Sequence, residues 1–218
     1  MYIEVNAYSK TIKGVTVLDN ITCGFNRGRI YGLQGKNGSG KTMLLRALSG
    51  LIFPTSGSIT IDDKHLGKDI SFPKSVGLLI ENPSFIGRYS GLKNLELIAS
   101  LKGLINTDDV RKAITSVGLD PDDKRSYRKY SLGMKQRLGV ACAVMEKPDI
   151  ILLDEPINAL DPSGIAYVEH IISKAKHDGA LIIIACHDSE ELNLLADEIV
   201  ILAEGRIISK ELVHHERI

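Results

Sequence analysis

Eight consecutive residues, Gly35, Lys36, Asn37, Gly38, Ser39, Gly40, Lys41 and Thr42, follow the pattern G-x-x-x-x-G-K-[ST]. These types at this spacing fit one chemistry, a grip on the phosphates of a nucleotide. Glycines let the backbone curl until successive N–H groups point inward as a nest for an anion. A helix that starts where the run ends turns its positive end to the same anion. The Lys41 ammonium can reach the terminal phosphates, and the Thr42 hydroxyl can ligate Mg²⁺. The bland alternative is a Gly-rich turn. The flanks argue for phosphate binding instead. Ile30 to Leu33 form a short apolar strand before the run, and Met43, Leu44, Leu45, Ala47 and Leu48 have helical spacing after it.

Hydrolysis also needs a partner for the metal and a group that activates water. Ile150 to Leu153 are a continuous apolar run that ends in Asp154-Glu155-Pro156. Such a run is typical of a strand covered on both faces. It would hold Asp154 at the carboxyl end of a sheet, where open α/β sheets bind their ligands. Asp154 is the candidate to hold Mg²⁺ through water, and Glu155, one residue further out, to orient or deprotonate the attacking water. Taken alone, this strand end reads equally well as a solvated acidic turn. Its company with the phosphate loop favours the catalytic reading.

The elements that must position these groups come from two separated halves of the chain. Tyr2 to Val5 and Thr16 to Leu18 alternate as strands, interrupted at Gly14 and at 26–28; residues 54–63 read as a turn and a strand, and Ser75 to Ile80 as another strand. After Pro148 the pattern is strand, helix, strand: 150–153, 163–177 and 181–186, then a helix over 189–196 and a closing pair around Glu204-Gly205. Between the halves, helical periodicity dominates, as in Leu92, Leu95, Ile98 and Leu101, then Val110, Ala113, Ile114 and Val117, then Met134, Leu138 and Ala141. The predicted fold is α/β, a P-loop core with a mainly parallel sheet, an N-terminal antiparallel β subdomain and an inserted helical subdomain. Residues 1–83 and 147–218 would form the core with its β subdomain, and 84–146 the insert.

The insert closes with Lys129 to Ala141, where Ser131 and Gly133 precede a helical pattern in the manner of a second anion-binding helix start. A single molecule has no evident use for two such starts. Two copies facing head to tail would, because each could close over the nucleotide held by the other. In these residues the chain resembles the ATP-binding subunits of ABC transporters, and the resemblance spans nearly its whole length. The family signature is usually LSGGQ; Tyr130-Ser131-Leu132-Gly133-Met134 keeps the serine and the second glycine. The resemblance implies that Ser131 and Gly133 contact the γ-phosphate of the partner's ATP, and that Asn158-Ala159-Leu160-Asp161 is the loop crossing the dimer interface. It implies that His187 is the switch histidine assisting Glu155, and that the family's Q-loop glutamine falls at Glu81. Glu81 would still ligate Mg²⁺ or its water, as a carboxylate. The aromatic that stacks on adenine would fall near Ile12, with Tyr8 the nearest ring; either Tyr8 stacks or aromatic stacking is weak or absent, and the choice stays open. The strings Leu79 to Pro83 and Tyr130 to Arg137 are similar to the bacitracin and lantibiotic exporter branch.

The implied function is binding and hydrolysis of ATP with Mg²⁺ to drive export of an antimicrobial peptide or drug-like compound. The implied partners are an integral-membrane permease and a second copy or homologous subunit, with the chain on the cytoplasmic face of the membrane. A soluble ATPase of the same type, or a regulatory module with weak catalysis, is the alternative. Composition agrees with either. In 218 residues, 27 Lys and Arg balance 27 Asp and Glu, which argues against a nucleic-acid partner held by a global basic field. The chain is 44% hydrophobic, enough for a sizeable core. Its apolar runs, such as Leu181 to Cys186, are far short of the roughly 18 residues that span a bilayer, and the first residues carry no secretory pattern. Cys23, Cys142 and Cys186 are an odd number with no metal-type spacing, read as small buried hydrophobes in a reducing compartment. Cys186 beside His187 is read the same way, for want of further ligands nearby in sequence. The terminal His214 and His215 are read as solvated.

Overall fold

The computed structural model describes residues 1–213, apart from the side chain at position 191; the two terminal histidines lie outside these residues. The chain opens with β1 (Ile3–Ile12), β2 (Val15–Phe25) and β3 (Ile30–Gln34), followed by α1 (Lys41–Leu48), β4 (Ser56–Ile61), β5 (Lys64–His65) and β6 (Val76–Leu79). Three helices come next, α2 (Gly91–Lys102), α3 (Thr107–Ser116) and α4 (Leu132–Val144). The last part runs β7 (Ile150–Asp154), α5 (Pro162–His177), β8 (Leu181–Cys186), α6 (Ser189–Leu195), β9 (Glu198–Ala203) and β10 (Arg206–Leu212).

Two sheets result. The central one has the order β10-β9-β3-β8-β7-β6, parallel except for the antiparallel edge strand β10. The other is antiparallel, in the order β2-β1-β4-β5. Two-residue turns close its hairpins. Lys13-Gly14 and Asp62-Asp63 have φ of 48° and 81°, and of 50° and 60°. Positive φ at both positions is the loop geometry whose twist matches that of paired strands.

The central sheet separates two cores by simple alternation, since successive strand side chains point to opposite faces. Leu181, Ile183 and Ala185 of β8 join α1 and the antiparallel sheet on one face, together with Ile150 and Leu152 of β7. Ile182, Ile184 and Cys186, with Ile151 and Leu153, join the helices on the other. The six apolar residues of β8 are therefore buried on both faces, as the run predicts. The helical stretch has no separate core: Leu95, Val110, Ile114 and Leu138 pack in one cluster with Ile151 and Ile184. Each such aliphatic side chain contributes about 1.5–3 kcal/mol by leaving water. Gly77 sets how closely α4 approaches the sheet, because a Cβ there would run into the Ala143 carbonyl.

Candidate nucleotide-binding site

The phosphate loop connects β3 to α1. Gly40 is the N-cap of α1, at φ 107°, a conformation that favours glycine, and it has no side chain to cap the helix. The orphan amides of the first turn are thus left for a ligand, with the helix dipole behind them. Lys41 is folded back on its own loop, its ammonium donating to the carbonyls of Gly35 at 2.6 Å and Lys36 at 3.3 Å. The Ser39 hydroxyl is buried and has no hydrogen-bond partner among the described residues, a cost that is relieved when a ligand supplies one. The loop floors a cleft of about 460 Å³ that also takes in Val15, Val17, Asp154, Glu155 and Gly205.

Thr42 and Asp154 stand 112 positions apart, yet the Thr42 hydroxyl donates to the Asp154 carboxylate at 2.7 Å. Asp154 is only 7% exposed. Burial pushes its carboxyl above the usual range, the Thr42 bond opposes this, and the neighbouring Glu155 charge adds to it. A hydroxyl and a carboxylate in contact beside a phosphate loop form the oxygen-donor pair that a hard cation such as Mg²⁺ takes.

Glu155 has left-handed backbone, φ 49°, a conformation that costs a non-glycine residue about 1–2 kcal/mol. It is pinned from both sides. Its N–H donates to the Ala185 carbonyl at 2.8 Å, and its own carbonyl accepts from the Gln136 side-chain amide at 2.8 Å and from the Asn158 N–H at 3.2 Å. The turn projects the carboxylate toward the end of β8, where Glu155 Oε2 lies 2.9 Å from His187 Nδ1. The strand ends of β7 and β8 therefore bring together the two groups that the sequence offers for water activation.

Other expected site residues lie elsewhere. Ser131 is the exposed N-cap of α4, its hydroxyl accepting from the Met134 N–H at 3.2 Å. Gly133 sits against the Ala159 carbonyl, where a Cβ would come within 3.0 Å. Asp161 caps α5, accepting from the Gly164 N–H at 3.1 Å and the Ser163 hydroxyl at 2.8 Å. None of the three lines the phosphate-loop cleft. Tyr130, where the family pattern has leucine, accepts a hydrogen bond from the Gly91 N–H through its phenol at 3.2 Å. That ties the start of α2 to the segment before α4.

Two of the candidate groups are engaged elsewhere in this structure. The Glu81 carboxylate does not face Asp154: it forms an ion pair with Arg46 of α1, while the Glu81 backbone amide is what bonds Asp154. Tyr8 cannot stack on a base, because it is 1% exposed with its hydroxyl bonded to the Ile52 carbonyl. Among the described residues no aromatic lines the cleft, and Val15 and Val17 form its apolar rim. Sequence reasoning also missed Gln136, which is buried. Its signal was a polar residue four positions before the buried Val140 on α4. The Glu204-Gly205 turn was read only as a strand connection. It lines the cleft, and the Gly205 N–H donates to the Ser39 carbonyl at 3.0 Å.

Comparison with known proteins agrees with this geometry. Residues 18–158 match the model of the ABC transporter family. An uncharacterised ABC transporter ATP-binding protein of Bacillus subtilis, YybJ, is 50% identical over 215 residues, covering 99% of both chains. The bacitracin transport ATP-binding protein BcrA of Enterococcus faecalis is 38% identical over 210 residues, covering 95% of this chain and 68% of that one. Among solved structures, an ATP-binding subunit of an ABC transporter superposes with a TM-score of 0.88 at 26% identity, covering 98% of this chain and 90% of that one.

Proposed function

The chain belongs to the ABC transporter family and is an ATP-binding, ATP-hydrolysing subunit of such a transporter; from that premise we propose that it works as half of a head-to-tail pair that drives export of a peptide antibiotic. The observation that carries this reading is a division of parts. The phosphate loop, Asp154 and Glu155 line one cleft, with His187 held against Glu155 beside it, while Ser131 stands exposed on a helix start outside it. A second copy, or a homologous subunit, would bring its own Ser131 and Gly133 over the nucleotide, and Asp161 would lie at the seam.

In the proposed cycle, ATP binds with its phosphates on the amides of Gly38 to Thr42, and Lys41 exchanges its loop carbonyls for phosphate oxygens. Thr42 and Asp154 would hold Mg²⁺, which when bound neutralises charge building on the phosphates. Glu155 accepts the proton of the attacking water, and His187 holds the carboxylate in place through Oε2. For Glu81 to reach the metal, its carboxylate must first leave Arg46.

No helix among the described residues is long and apolar enough to cross a membrane. In this reading a separate integral-membrane permease supplies the path, with the chain bound to its cytoplasmic face. Support for a peptide antibiotic as cargo comes from the bacitracin transport protein among the relatives. The test is to isolate the chain with its membrane subunit and measure Mg²⁺-dependent ATP hydrolysis with and without bacitracin-type peptides. Stimulation by the peptide is expected. Recovery with RNA, or hydrolysis indifferent to every peptide, would count against the export role.

A further inference from the structure

The ends of β7 and β8 bring together a second set of donor atoms. Ligand atoms of Glu155, Cys186 and His187 all lie within 4.8 Å of one another. Cys186 is the last residue of β8, buried on the helical side, and its sulfur accepts from the Asp188 N–H at 3.4 Å. Glu155 is half-buried and His187 exposed, so two of the three side chains have room to adjust.

We propose that Glu155, Cys186 and His187 form a binding site for a soft or borderline divalent cation such as Zn²⁺ or Cd²⁺, and that its occupation arrests ATP hydrolysis. Thiolate, imidazole and carboxylate are the donors such ions prefer, whereas Mg²⁺ takes oxygens alone. Zinc sits about 2.3 Å from sulfur and about 2.0–2.1 Å from nitrogen, so tetrahedral ligand atoms stand roughly 3.3–3.6 Å apart. Rotation of His187 and Glu155 closes the remaining gap. Water completes the fourth position. On binding, the Cys186 S–H bond breaks, a sulfur–metal bond forms and the proton leaves to solvent; nothing is oxidised or reduced. The site is separate from the Thr42–Asp154 pair. It takes from the water-activating pair the carboxylate and the imidazole that hold each other at 2.9 Å. The arrest, though not the binding, rests on the role given to Glu155 above.

The test uses Cd²⁺, whose bond to a thiolate has its own ultraviolet charge-transfer band. In a Cys23→Ala, Cys142→Ala chain the band should saturate at one Cd²⁺ per chain and vanish when Cys186→Ser is added. The same loss should appear on adding Cys186→Ser to the otherwise unchanged chain, which covers the case of an unstable double variant. Cys186→Ser should keep its basal hydrolysis and need about tenfold more Zn²⁺, or greater, for half-inhibition. No band, or a band that survives Cys186→Ser, overturns the site. A saturating band with undiminished hydrolysis overturns the arrest; the role of Glu155 in water activation is read separately, from the hydrolysis rate of Glu155→Gln without added metal.

Discussion

The side-chain amide of Gln136 donates a 2.8 Å hydrogen bond to the backbone carbonyl of Glu155. One of these residues lies on α4, whose exposed start carries Ser131; the other is the proposed water activator. Any displacement of α4 is thus felt by the left-handed turn that aims the Glu155 carboxylate. Gln136→Ala should lower kcat for ATP hydrolysis about tenfold while leaving KM for ATP within about twofold, since no phosphate contact is lost. It should also cost about 0.5–1.5 kcal/mol in stability, the net worth of one hydrogen bond, since the carbonyl keeps the Asn158 N–H. Steady-state kinetics and denaturant unfolding check the two halves separately. A loss of stability with kcat unchanged would assign Gln136 to packing alone.

Asp154 supplies a pH argument. Burial raises its carboxyl above the unfolded value, so the folded chain binds that proton more tightly than the unfolded chain does. The penalty for ionising it is absent below the unfolded range. It grows as pH rises through the window between the unfolded and folded values, and is complete above it. Asp154→Asn should therefore unfold no earlier than the parent at neutral pH without nucleotide, and lose its advantage in acid. The same variant should lose Mg²⁺-dependent hydrolysis by orders of magnitude. Thermal unfolding at several pH values reads the first effect, and a marked fall in the neutral unfolding temperature would contradict it.

The Arg46–Glu81 pair is a surface contact with the Glu81 side chain 61% exposed, worth at most about 1 kcal/mol. Arg46→Ala should therefore leave the unfolding temperature nearly unchanged. If Glu81 serves the metal once released, hydrolysis should then reach half-maximum at a Mg²⁺ concentration several-fold lower. Glu81→Gln should cancel that gain in the double variant. A Mg²⁺ titration that is the same in all three proteins would leave Glu81 as a surface residue.

The cleft rim is aliphatic, and the nearest candidate ring is in the core. Tyr8→Phe should cost about 1 kcal/mol through the lost Ile52 bond and leave ATP affinity alone. Val15→Tyr should tighten nucleotide binding by a few-fold, because a ring adds about 0.5–1.5 kcal/mol when it can stack. Calorimetric titration of both variants with ATP checks the pair, and weaker binding in Tyr8→Phe would return the base to Tyr8.

Much of this site is legible in the sequence because its parts are local. The phosphate loop is one continuous pattern, and the apolar runs before Asp154 and His187 have the length and β-branched content of strands buried on both faces. Groups that depend on tertiary neighbours were not legible. Arg46 and Glu81 meet only because α1 and the end of β6 flank the same carboxylate. Tyr8 carries no sign of which face of a bulged strand it occupies; β1 shifts register around it, between Val5 and Lys10. The Asp62-Asp63 turn has no glycine to mark it. Cys186 beside His187 shows two donors, while the third, Glu155, arrives from 32 positions before His187 along the chain.

The central claim is that each molecule holds only part of two shared pockets, and Glu155→Gln tests it most directly. With the acceptor of the water's proton removed and Lys41, Thr42 and Asp154 intact, ATP should bind and remain uncleaved. Light scattering at saturating ATP and Mg²⁺ should then record the mass of a pair, returning to that of one chain when ATP is removed. A variant that stays monomeric at every nucleotide concentration, alone or beside a homologous subunit, or that hydrolyses ATP at the parent rate, would contradict the account.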